Sequence, residues 1–176
     1  MAGSVTLRPS TPADREFLLA VFASTREQEL NLSGWDDKQK RAFIEMQFHA
    51  QSQQYTLCYP QADSSVILFE DHSVGRLFVD RMGLDITLVD IALLPEYRNR
   101  GIGTTLIKSL LKEATGAQKS VALQVLRGNT AARLYERLGF TMVSEDGIYL
   151  EMKRTPPVED HENRTANGSD EAKSYA

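Results

Sequence analysis

Apolar and polar positions alternate along the chain in two periods, and the switches between them mark the elements. Val5-Thr-Leu-Arg8 reads as a short strand, stopped by Pro9 and Pro12, which remove the amides a ladder needs. From Asp14 to about Asn31, apolar residues at 17, 18, 21, 22 and 30 keep a helical spacing, and Asp36 to about Gln54 repeats it with Ala42, Phe43, Met46 and Phe48. Ser65–Phe69, Val74–Val79 and Asp85–Leu93 are strand-like runs, with turn residues at Asp71-His72 and Met82-Gly83. Ile102–Ala114 gathers Leu106, Ile107, Leu110, Leu111 and Ala114 on one helical face opposite Lys108 and Lys112, and Gly116 supplies a stop. Val121, Leu123 and Val125 alternate as a strand, Thr130–Leu138 forms a short helix closed by Gly139, and Ile148, Leu150 and Met152 alternate as a last strand. The predicted order is βααβββαβαβ, an α/β (α+β) fold with helices packed on one central mixed sheet.

The length of 176 residues fits one domain of ordinary size. The chain carries 20 Lys plus Arg against 24 Asp plus Glu, a net charge of −4. This mild acidic excess argues against a sequence-independent nucleic-acid binder, which needs a basic field over the phosphates. One cysteine, Cys58, rules out an intrachain disulfide framework and a cysteine-rich zinc site, and His49, His72 and His161 have no metal-ligand spacing. Cys58 reads as a small hydrophobe in or beside a strand. The longest apolar runs fall far short of the roughly 20 residues of a membrane span, and the N-terminus has neither the basic region nor the apolar core of an export signal. The expected protein is cytoplasmic, with no nucleic-acid or membrane partner. Composition shifts at Thr155: residues 155–176 hold five acidic and two basic side chains but only Val158 and Tyr175 as large apolar ones, so residues 1–154 are the expected domain and 155–176 an acidic disordered tail.

Chemistry concentrates in Asp90-Ile-Ala-Leu-Leu-Pro-Glu-Tyr-Arg-Asn-Arg-Gly-Ile-Gly-Thr104. A strand ends at Pro95, a loop with Arg98, Arg100, Gly101 and Gly103 follows, and a helix begins at once. Glycines admit a ligand close to the backbone, and the first-turn amides of a helix lack intrahelical acceptors, so the junction suits an anion such as a pyrophosphate. It is no P-loop, because Gly103-Thr104-Thr105 lacks the lysine, and no dinucleotide fingerprint, because Leu106 replaces the third glycine.

Arg98-x-x-Gly101-x-Gly103 at a strand–loop–helix junction resembles the (Arg/Gln)-x-x-Gly-x-(Gly/Ala) signature of the GNAT superfamily of N-acetyltransferases. A second stretch, Asn129-Thr-Ala-Ala-Arg-Leu-Tyr-Glu-Arg-Leu-Gly-Phe140, resembles that family's Asn-x-x-Ala-x-x-Leu-Tyr-x-x-x-Gly-Phe, one residue shorter between Asn129 and Tyr135. The resemblance spans roughly residues 4–154. It implies a central mixed, mostly antiparallel sheet splayed at the cofactor site with helices on both faces. It also implies acetyl-CoA as donor, no metal, and an amine acceptor of unknown identity, in a monomer or homodimer.

Residue by residue, the resemblance assigns the coenzyme to Ile91, Ala92 and Leu93 on the strand, to Arg98, Asn99, Arg100, Gly101, Ile102, Gly103 and Thr104 at the junction, and to Asn129, Ala132 and Tyr135. The Leu93 amide would stabilise the developing oxyanion, and Tyr135 would serve the leaving thiolate as acid. The glutamate some members place before the asparagine is Gln124 here. Asp90 is the candidate base, with pairing to Arg76 or Arg81 and water-mediated deprotonation as alternatives. Asn129 also reads as a helix cap, Tyr135 as core, and Trp35 as either a wall of the acceptor pocket or a packing anchor. Two rival functions fit the same residues: a catalytically silent acyl-CoA-binding sensor, and a transferase of a longer acyl group.

Overall fold

The structure, a computed structural model, describes residues 3–157. Strands β1 (Val5–Pro9), β2 (Asp63–Phe69), β3 (His72–Asp80), β4 (Ile86–Leu93), β5 (Val121–Leu126), β6 (Thr141–Asp146) and β7 (Tyr149–Arg154) form one sheet in the order β1-β2-β3-β4-β5-β7-β6. Every neighbouring pair is antiparallel except β4–β5, which is parallel because helix α4 (Ile102–Gly116) crosses over between them. The expected mixed, mostly antiparallel sheet is therefore present.

Each face is covered by different helices. On one, Val74, Leu77, Val79, Ile86, Leu88, Val121, Leu123 and Met152 pack against Ile102, Leu106, Ile107 and Leu110 of α4 and against Tyr135 of α5 (Ala131–Arg137). On the other lie α1 (Arg15–Ser24), α2 (Glu27–Leu32) and α3 (Asp37–Cys58), with a smaller core of Leu19, Phe22, Ile44 and Phe48. Among the described residues, no helix is long and apolar enough to cross a membrane.

The single helix expected over 14–31 is broken into α1 and α2. Ser24 and Thr25 turn their hydroxyls back onto the carbonyls of Val21 and Phe22, at 2.7 and 2.6 Å, and the amides of Thr25 and Arg26 tighten to three-residue bonds. The next helix runs on to Cys58, so Cys58 is an exposed residue of its last turn and not a strand residue. Strand β6 has no counterpart in the predicted order: all six of its residues are exposed at the sheet's edge, so it carries no apolar alternation. The acidic tail expected over 155–176 lies, from residue 158 on, outside the described residues.

Candidate active site

The site starts from a fault in the middle of the sheet. β4 pairs with β5 only at Ile86, Thr87 and Leu88, opposite Val121, Ala122 and Leu123. Just beyond, the β3–β4 register shifts, so that Val79 faces Leu88 while Phe78 faces Asp90, which leaves Val89 as the extra residue of a bulge. From there β5 stays with β7, through Gln124 opposite Glu151, and β4 leaves it. The bulge also resets which side chain faces which way. Ile91 and Leu93 join the α4-side core, while Asp90 turns to the α3 side with Arg76 and Phe78.

The open edge of β4 is hydrogen-bonding backbone. Leu94 donates to Val74 O at 2.9 Å, so by antiparallel alternation the amide and carbonyl of Leu93 point away from β3. The Leu93 carbonyl accepts from Arg98 Nε at 2.9 Å, and the other arm of that guanidinium reaches Ser24 O at 3.2 Å and Oγ at 3.0 Å. Arg98 thus straps the loop to β4 and α1, its charge turned onto carbonyl oxygens.

After this strap the chain enters the left-handed region at Asn99 (φ 59°) and Gly101 (φ 80°), which swings the first turn of α4 toward the β4 edge. Thr105 is the first amide to bond back, to Gly101 O at 2.9 Å. The amides of Gly101, Ile102, Gly103 and Thr104 have no main-chain acceptor among the described residues. A Cβ built on Gly103 meets nothing within 4 Å. The loop is an open cradle of N–H donors at the positive end of a helix dipole.

Cradle and edge are two walls of one cleft of about 670 Å³, closed on the third side by α5 through Thr130, Ala131, Leu134 and Tyr135. The cleft brings together Ile91, Leu93, Arg98, Asn99, Gly101, Ile102, Gly103, Thr104 and Tyr135 of the expected set. Four others stand outside its wall. Ala92 turns to the opposite face of β4, and Arg100 lays its guanidinium over the Tyr97 ring, 5.3 Å from the centroid. Asn129 caps α5, its Oδ1 accepting from Ala131 N at 2.9 Å. Ala132 gives way to Ala131, because the motif is one residue short and Ala131, four before Tyr135, shares the tyrosine's helix face.

Tyr135 is 7% exposed and edge-on to Phe140 at 5.7 Å. Burial, reinforced by the Asp90 carboxylate, pushes its phenol up to about 12, so it keeps its proton across the physiological range. Its hydroxyl makes no hydrogen bond among the described residues.

Asp90 pairs with Arg76, Oδ2 to Nε at 2.5 Å, and Arg76 is steadied by Gln51 Oε1 at 2.8 Å. Arg81 is engaged elsewhere, by Glu113 and Asp63. Burial raises the Asp90 carboxyl above the ordinary carboxylate range even against the pull of Arg76.

On this α3 side a cavity of about 250 Å³ reaches Asp90 between Gln51, Tyr55 and Phe78. It shares Gln51 and Tyr55 with a groove of about 480 Å³ that runs over Val89, Gln124, Tyr149 and Glu151 toward Tyr59. Trp35 lies edge-on to Phe43 at 5.1 Å and lines neither. Sequence reasoning missed Tyr55, Tyr149 and Glu151. Their signal was the polar half of each period: Gln51, Tyr55 and Tyr59 at helical spacing, and Tyr149 and Glu151 alternating against Leu150 and Met152.

Residues 61–142 match the family model of the acetyltransferase (GNAT) domain, a span that holds the splayed strand, the cradle and Tyr135. Those residues form a GNAT acetyltransferase domain. At the level the family fixes, its chemistry is acyl transfer from a coenzyme A thioester. Among solved structures, this GNAT chain is similar to a PaiA N-acetyltransferase from Thermoplasma acidophilum in complex with coenzyme A (TM-score 0.66, 19% identity, 86% of this chain and 99% of that one). It is also similar to an acetyltransferase from Thermus thermophilus (0.63, 19%, 88% and 98%). A third is histone acetyltransferase HPA2 and related acetyltransferase from Corynebacterium glutamicum (0.59, 21%, 89% and 99%). At these identities the matches establish a shared fold. No curated protein sequence matches significantly.

Proposed function

We propose that the protein is an N-acetyltransferase that moves an acetyl group from acetyl-CoA to a primary amine by direct attack. The observation that carries the reading is the parting of β4 from β5 after Leu88 and Leu123, which opens one point of the sheet to a cleft on one face and a groove on the other. A donor and an acceptor can meet there from opposite sides. The donor fits the cleft's chemistry: the free amides of Gly101–Thr104 suit its diphosphate, and the outward main chain of Ile91 and Leu93 suits an amide-rich arm lying along β4 as an added strand. The acetyl assignment is supported by the acetyltransferase description of the matched domain.

When bound, the coenzyme supplies an acyl thioester whose carbonyl carbon the amine attacks. The Leu93 amide donates to the carbonyl oxygen as charge builds on it, a contribution of roughly 3 kcal/mol when such a donor is aligned. The Tyr135 hydroxyl gives a hydrogen bond or its proton to the departing sulfur. Asp90, on the acceptor side, takes the proton shed by the amine, directly or through water. Its raised pKa brings it nearer the range of an effective base, and Arg76 fixes its orientation.

The test is a thiol-release assay with acetyl-CoA against polyamines, aminoglycosides, amino acids and peptides. Release with at least one amine is expected. Tight coenzyme binding with no release from any of them would instead assign a coenzyme-sensing module, and preference for a longer acyl thioester would replace acetyl.

A further inference from the structure

The groove on the α3 side has a charge pattern that a simple amine leaves incomplete. Its wall holds two carboxylates, Asp85 and Glu151, and neither lysine nor arginine. Asp85 is neutralised from outside the wall by Lys153 Nζ at 2.7 Å. Glu151 accepts only from the neutral Ser144 Oγ, at 2.5 Å, and has no cationic partner among the described residues.

Three tyrosines share this wall: Tyr55 from α3, Tyr59 just past its end, and Tyr149 from β7. Tyrosine rings attract a cation through their negative faces, most strongly where water is excluded. The inner end of the same space is Asp90, reached through the cavity that shares Gln51 and Tyr55 with the groove. Glu151 faces Gln124, the residue after the last β4–β5 pair, so with the strands parting there it stands more than two strand spacings, upward of about 10 Å, from the bulge at Val89.

We propose that the acceptor carries a second positive charge: its reacting nitrogen sits at Asp90 and a distal ammonium sits at Glu151 among Tyr55, Tyr59 and Tyr149. The assignment rests on the acetyltransferase reading and names its acceptor class, an elongated diamine or a chain ending in a second cation. A monoamine of equal length fills the same space but leaves Glu151 unanswered.

The pair 1,6-diaminohexane and 1-aminohexane isolates that charge. In thiol release with acetyl-CoA, kcat/KM for the diamine should exceed that for the monoamine by tenfold or more, with the difference in KM. Glu151→Gln should collapse the ratio toward one, with an unchanged melting temperature and coenzyme A affinity in the same variant reporting that the fold persists. Calorimetric titration of both amines into the coenzyme A complex supplies a readout independent of turnover. Diamine binding without thiol release would uphold the groove assignment and remove the acetyltransferase reading. Equal kcat/KM for the two amines, an unchanged ratio in Glu151→Gln, or no preferential diamine binding would overturn the proposal.

Discussion

Tyr135 lies on the α4 side of the sheet and Asp90 on the α3 side, and the carboxylate's charge helps to raise the phenol. Because burial and Asp90 hold the Tyr135 phenol near 12, it keeps its proton at every working pH, as the proposed acid must. Tyr135→Phe removes one oxygen and leaves the ring against Phe140. It should lower kcat about 10²-fold with coenzyme affinity nearly unchanged, as measured by steady-state kinetics beside calorimetry. Equal turnover would show that the hydroxyl is not the acid. Asp90 must be ionised to accept a proton, and its pKa is raised, so activity should fall as pH drops through that raised value. In Asp90→Asn this acidic limb should disappear from the pH–rate profile, and an unaltered limb would exclude Asp90 as base. Arg76 answers a charge that is largely buried. Arg76→Ala should destabilise the fold by about 3–5 kcal/mol in urea unfolding, since it strands that charge without a partner.

Strand β4 sets the geometry through its neighbour β3. A Cβ on Gly75 would lie 2.2 Å from the Ala92 carbonyl oxygen and 2.8 Å from Leu93 Cδ2. Gly75→Ala should therefore cost about 1–3 kcal/mol, seen as a lower urea midpoint, because the backbone of β4 has to shift. At this scale the sequence was legible wherever one face is buried. The alternation of Val121, Leu123 and Val125 and the apolar stripe of α4 define elements that the structure contains. It was silent where burial is absent, as in β6, and misleading where hydroxyls intervene, as at Ser24 and Thr25. The cradle could be read from two glycines at a strand–helix junction. The engagement of Arg98 with Leu93 and Ser24 could not, because its partners lie 5 and 74 residues away. The bulge at Val89 was equally hidden, since no residue type announces it, and with it the turning of Asp90 toward α3.

For the whole molecule, the sheet works as a partition with one opening. The α4 face offers main-chain donors, and the α3 face offers carboxylates and tyrosines. This division would let a chain with a net charge of only −4 hold the proposed anionic coenzyme on one side and the proposed cationic acceptor on the other. The cradle at the start of α4 is the proposed seat of the coenzyme. Gly103 tests it most directly: its missing Cβ points into open space, so a large side chain there fills the cleft without disturbing the fold. Calorimetric titration of coenzyme A into the wild type and Gly103→Trp, with melting curves for both, should show saturable binding in the first. In the variant, binding should fall at least a hundredfold at an unchanged melting temperature. Equal affinity in the two proteins would place the coenzyme elsewhere and rule out the cradle as its site.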